Sequence, residues 1–279
     1  MRIDAHQHFW ALERGDYDWP NDSVRPIFRD FDPNDLRPHL KHAGIEKTIL
    51  VQATDTTAET EFLLDLAEKT DFVAGVVGWV DLTAPDAIPT IDRLRSNVHL
   101  LGLRPMLQNI AETGWILRDD VQPALVHLQK TSLCFDALIQ PRHLAAVATL
   151  ARAYPDLRIV IDHIAKPIMG NARRPEQDWL GGMATLASLN NVSCKLSGMM
   201  TEIGPGWSKA DLLPYTETVL ELFGPKRLMF GSDWPVLNLA STYADWLSFV
   251  TEFLVPLTPS EKRDIMGETA RRFYQLHQN

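Results

Sequence analysis

The chain has 279 residues, of which 45% are hydrophobic and 23% charged, and a net charge of −9. This composition supports an ordinary buried core, and an acidic balance without any Lys/Arg block argues against a nucleic-acid surface. The two cysteines, Cys134 and Cys194, offer neither a disulfide framework nor a thiolate metal spacing; with no apolar run near roughly 18 residues and no signal-like start, a cytoplasmic protein without a membrane span is expected.

The first short run, Arg2–His8, contains Ile3-Asp4-Ala5-His6-Gln7-His8. Side chains alternate along a strand, so Asp4, His6 and His8 are expected on one face. Two imidazoles one pleat apart can reach a single metal ion or one substrate oxygen. The segment Phe9–Glu46 reads as a long insertion, carrying Asp18-Trp19-Pro20-Asn21, and suits either a lid or a structural skirt. Further apolar runs follow at Lys47–Gln52, Phe72–Val80, His99–Arg104, Leu133–Leu138, Arg158–His163, Val192–Ser197 and Leu228–Asp233. Amphipathic stretches separate them, among them Ala58–Lys69, Asp86–Ser96, Asp120–Lys130, Pro141–Tyr154, Gln177–Leu189 and Leu212–Phe223, and helical patterns at Tyr243–Phe253 and Pro259–Leu276 end the chain. Strands alternating with helices predict a parallel sheet, and eight such units predict an α/β fold: a (β/α)8 TIM barrel as one domain over residues 1–279. A doubly wound open sheet fits less well, because His6-Gln7-His8-Phe9 stands where a Gly-rich phosphate turn would follow the first strand.

In such a barrel, catalytic groups gather at the C-terminal ends of the strands. Those ends carry His6 and His8, Gln52, Trp79 with Asp81, Arg104, Asp136 with Gln140, His163 with Lys166, Lys195 with Ser197, and Asp233 with Trp234. Polar groups collecting at one end of every run point to an enzyme. Asp233, within Gly231-Ser232-Asp233-Trp234-Pro235, reads as a general base: shielding by Trp234 would raise its pKa and improve it as a base near neutrality. Arg104, His163, His6 and His8 are the expected partners for a developing oxyanion. Lys195 is expected either to bind substrate or to pair with Asp136. Gln52, Asp136, Trp19, Trp79 and Trp234 are expected to line the substrate pocket, the indoles packing on a ring. By parity, Gly102 and Gly231 lie beneath Arg104 and Asp233 and would clear the pocket floor or ease curvature.

His6-Gln7-His8-Phe9-Trp10, His163 and Gly231-Ser232-Asp233-Trp234-Pro235 together resemble the amidohydrolase superfamily, and more narrowly its amidohydrolase-2 branch of sugar-lactone and muconolactone-type lactonases. The resemblance runs the whole chain. It implies a carboxylate matching Asp233 that activates water, attack on a lactone carbonyl, and groups matching His6, His8, Arg104 and His163 that polarise it. It implies a small sugar-acid lactone as substrate, such as L-fucono- or L-rhamnonolactone. A dicarboxylate or muconate-type lactone, or a metal-dependent decarboxylase, is the alternative. The metal-dependent members carry lysine or glutamate on strand four and a histidine on strand five, where this chain has Arg104 and Asp136, so a binuclear centre is not expected. Catalysis without a metal is expected, with a single divalent ion such as Zn2+ on His6, His8 and Asp233 as the alternative. A homo-oligomer paired through outer helices is compatible with the fold.

Overall fold

A computed structural model describes residues 1–276 of the chain. Eight strands run parallel in chain order: β1 (Ile3–Gln7), β2 (Lys47–Val51), β3 (Val73–Gly78), β4 (Leu100–Leu103), β5 (Cys134–Ala137), β6 (Ile159–Ile161), β7 (Val192–Leu196) and β8 (Leu228–Phe230). The helices are α1 (Pro33–Ala43), α2 (Thr57–Lys69), α3 (Ala87–Leu94), α4 (Gln122–Lys130), α5 (Leu144–Ala153), α6 (Gln177–Ala187), α7 (Met199–Ile203), α8 (Lys209–Phe223), α9 (Tyr243–Phe253), α10 (Pro259–Arg263) and α11 (Thr269–Phe273). The barrel closes just beyond β8, where the His8 amide donates to the Trp234 carbonyl and the Asp233 amide to the His6 carbonyl, both at 2.8 Å. The (β/α)8 expectation is met. Among the described residues no helix is long and apolar enough to cross a membrane.

Alternation sorts the strands into two apolar layers. Ile3, Ala5, Ile49, Val51, Val77, Cys134, Val160 and Met229 fill the barrel interior, and Ala270, Phe273 and Tyr274 plug its N-terminal end. Leu50, Val76, Leu103, Phe135, Ile161, Leu196 and Phe230 face the helices. Arg158, at the start of β6, donates to the Phe273 carbonyl and secures the plug.

Two local features depart from expectation. Asp4 does not share a face with His6. Asp4 pairs with Thr48 and Gln7 with Leu50, so three residue steps on β1 oppose two on β2, a β-bulge. Asp4 therefore points outward, accepting from the Tyr243 hydroxyl at 3.0 Å and the Ser232 amide at 2.8 Å. Secondly, the segment after β1 is not one long loop. Asp32 and Asp35 form a capping box, Pro33 opens α1, and Gly44 closes it at φ +62. The irregular part ends at Asp32. Backbone bonds between Trp10 and Phe31 pin its stem, and the Thr54 and Thr56 hydroxyls bind the Asp16 carbonyl and carboxylate at 2.9 and 2.8 Å.

Candidate active site

The barrel's closing seam carries a cluster of buried polar side chains. His8 Nδ1 lies 2.8 Å from the Val51 carbonyl. A carbonyl only accepts, so Nδ1 carries a proton there. The other ring nitrogen, Nε2, faces His6 Nε2 at 3.2 Å and Asp233 Oδ1 at 3.3 Å. Asp233 Oδ1 also lies 3.7 Å from His6 Nε2 and 3.8 Å from His163 Nε2. His6, His8 and Asp233 can thus offer one ligand atom each to a common point.

His163 arrives by a different route. Val160 is interior, so simple alternation sends Asp162 inward and His163 outward. Instead His163, Ile164, Ala165 and Lys166 adopt φ of 51°, 49°, 62° and 47°, a left-handed turn that swings the imidazole back over the mouth. Such backbone costs about 1–2 kcal/mol per residue. Trp179 Nε1 anchors it on the Ile164 carbonyl at 2.9 Å, and Ser197 Oγ holds His163 Nδ1 at 2.9 Å. Gly198 makes room: a Cβ there would stand 2.4 Å from His163 Nδ1. Asp233 is itself left-handed, at φ 59°. Strain concentrated at one end of a barrel marks a site where geometry serves function.

Arg104 is buried, with Nη1 3.2 Å from Asp162 Oδ2 and 3.5 Å from His6 Nε2. Gln52 holds it at both ends: the guanidinium donates to the Gln52 carbonyl, and Gln52 Nε2 donates to the Arg104 carbonyl at 2.8 Å. Gln52 thus positions Arg104 instead of lining an open pocket. Lys195 and Asp136 are fully buried and paired with each other beneath the histidines, the second of the two roles expected for the lysine. Trp234 is not a pocket wall: alternation turns it away from Asp233, and it packs on Phe9 and Phe31 in the outer core. Trp79 and Trp19 stay half-exposed. The glycines clear no floor. A Cβ at Gly102 would meet Cys134 Sγ at 2.2 Å, and one at Gly231 would meet His6 Cβ at 2.8 Å, so each makes room for a neighbouring side chain. Asp162 escaped the sequence reading, although the inward parity of Val160 already pointed to it.

Electrostatics overturn one expectation. Burial alone would raise the Asp233 pKa, but His163, His8 and His6 around the carboxylate outweigh it and hold the group below the ordinary range. Burial lowers His163 to about 4 and, with the Lys195 ammonium beside it, keeps His6 well below its usual value. Near pH 7 the site presents two neutral imidazoles and an ionised carboxylate.

An amidohydrolase family model matches residues 3–276. An L-fucono-1,5-lactonase of Burkholderia ambifaria is 43% identical over 99% of this chain and 96% of its own length. An L-fucono-1,5-lactonase of Burkholderia multivorans is 35% identical over 99% and 96%. The crystal structure of a Burkholderia multivorans amidohydrolase with bound zinc superposes at a TM-score of 0.92, with 34% identity over 99% of this chain and 100% of that one. The expectation of metal-free catalysis is therefore corrected. The His/Asp cluster could hold a metal ion, and the zinc bound in that similar structure favours a metal cofactor over none. The Arg104 guanidinium donates to Asp162 and to the Gln52 carbonyl, which fixes it beside His6.

Proposed function

The chain belongs to the amidohydrolase-2 branch of the amidohydrolase superfamily, and from that premise we propose how it performs the hydrolytic opening of a sugar lactone, with L-fucono-1,5-lactone as the substrate. The convergence of three imidazoles on one carboxylate oxygen carries this reading. Two imidazole nitrogens and a carboxylate oxygen converge on one point, and this set of His6, His8 and Asp233 fits a divalent ion such as zinc. Such an ion would polarise the lactone carbonyl and acidify water.

The protein's own groups then have distinct roles. Asp233 Oδ1 faces the histidines, whereas no hydrogen bond among the described residues reaches Oδ2, which leaves that oxygen to take a proton from water. The water oxygen bonds to the lactone carbonyl carbon. Arg104 and His163 flank the position where oxyanion charge develops. Collapse breaks the bond to the ring oxygen, and protonated Asp233 returns its proton to that leaving alkoxide. The product is a single hydroxy acid, carrying the new carboxyl group and the hydroxyl released from the ring. Trp79 and Trp19 supply apolar surface for the sugar ring. The buried free thiols, Cys134 and Cys194, support a reducing compartment, the cytoplasm, as the place of action.

A pH-indicator assay over sugar and muconate-type lactones, on chelator-treated and zinc-reloaded protein, tests this reading. Acid release is expected from sugar lactones, fastest with L-fucono-1,5-lactone. Release only from dicarboxylate lactones would replace the substrate, and no release under either condition would overturn the proposal.

A further inference from the structure

Beneath the Asp233 cluster lies a second layer of charge, of which the reaction above uses only Arg104. Lys195 is fully buried, and its ammonium touches Asp136 Oδ2 at 2.5 Å, Asp162 Oδ1 at 2.9 Å and His6 Nδ1 at 3.1 Å. Arg104 takes the other Asp162 oxygen at 3.2 Å. Asp136 Oδ2 also accepts from the Tyr274 hydroxyl at 2.8 Å, and Tyr274 belongs to the plug at the opposite end of the barrel. Two cations and two carboxylates thus form a closed, neutral group with no path for a substrate to reach the lysine. A buried ion pair is commonly worth no more to stability than an apolar pair of equal volume. Its contact with His6 points to another use.

His6 Nδ1 has neighbours of opposite kind: the Lys195 ammonium, which only donates, and Asp162 Oδ1 at 3.5 Å, which only accepts. With the ring proton on Nε2, the lysine donates to Nδ1. With the proton on Nδ1, the aspartate receives it and Nε2 is bare. The ring is therefore seated in one orientation in either form.

Building on the lactonase site above, we propose that Lys195, clamped by Asp136 and Asp162 and tied through Tyr274 to the C-terminal plug, is a positioning residue for His6 that keeps Nε2 aimed at the point shared with His8 and Asp233. Partners of this kind typically change metal affinity about 10–100-fold when altered.

The test uses two mild variants of the full chain, Asp136→Asn and Tyr274→Phe. Zinc affinity is read by competition with a chromophoric chelator, kcat and KM are read separately, and the ring nitrogens of His6 are followed by 15N NMR. Asp136→Asn is expected to weaken zinc binding about tenfold or more and to lower kcat with KM within about twofold. Tyr274→Phe is expected to move the same quantities about two- to fivefold, with the fold intact. In the wild type, the His6 ring proton is expected on Nε2 without metal and on Nδ1 with zinc. A lower melting temperature with unchanged zinc affinity and kcat would reduce the group to a structural role and overturn the proposal. So would a ring proton resident on Nδ1 in the metal-free wild type, a readout that stands even if the wild type takes up no zinc. Neither zinc binding nor the ring spectrum requires a substrate, so a wrong lactone assignment leaves this test standing.

Discussion

At Asp233 two opposing effects meet, burial favouring the neutral acid and three imidazoles favouring the carboxylate. The second wins, so the carboxylate is held in its ionised form near neutrality, the form that the proposed base requires. Asp233→Asn keeps the volume and removes the proton acceptor. It is expected to lower kcat about 10²–10⁴-fold while circular dichroism and melting stay near wild type; full activity would remove Asp233 as the base. Glu59 shows the contrary balance. It caps the Ala53 and Thr54 amides after β2, and burial outweighs those bonds to push its pKa from 4.5 to about 7. The folded state then holds a proton that the unfolded chain has already lost between pH 4.5 and about 7. Stability from this group is full below pH 4.5 and declines as pH rises through that window, by about 1.4 kcal/mol per pH unit. Measured by urea unfolding at stepped pH, wild type is expected to lose stability relative to Glu59→Gln across this range and to run parallel with it below. Parallel curves throughout would show that Glu59 titrates normally.

Strand elements carried most of what could be read in advance. Val192, Cys194 and Leu196 do face the helices while Ser193 and Lys195 face inward, as period-two alternation requires. Where alternation breaks, the reading broke with it. The bulge in β1 turned Asp4 away from the histidines, and the left-handed turn after β6 returned His163 to them. Helix α1 was legible and overlooked: Asp32-Pro33 and Gly44 are its start and stop signals. Gly198→Ala tests the turn after β6. The added Cβ stands 2.4 Å from His163 Nδ1 on backbone at φ +67, so a loss of about 1–3 kcal/mol and at least about tenfold in kcat is expected. Gly15→Ala is the control, since it shares a left-handed φ of +73 but has nothing within 4 Å. It is expected to cost stability by calorimetry and leave kcat unchanged; equal loss of kcat in both variants would separate His163 from the effect.

For the whole molecule, an ion held by His6, His8 and Asp233 would link metal binding to folding, because these residues come from both ends of the chain and meet only in the closed barrel. Zinc at about 100 times its Kd is expected to stabilise chelator-treated protein by about 2.7 kcal/mol, seen as a melting temperature raised by several degrees. His6→Ala should abolish that shift, and a shift that persists would place the ion elsewhere. The sequence by itself determined the barrel and the polarity of its ends, and it picked out Asp233, His6, His8 and Arg104 as strand-end groups that the fold brings together, because hydrophobic period and strand ends are local properties. Only the tertiary structure decided that Asp162 joins them, that Lys195 and Gln52 brace the site from behind, that Trp234 belongs to the core, and that Asp233 is ionised. Those outcomes depend on distances between segments far apart in the chain, and a charge responds to every neighbour within reach, whichever strand supplies it.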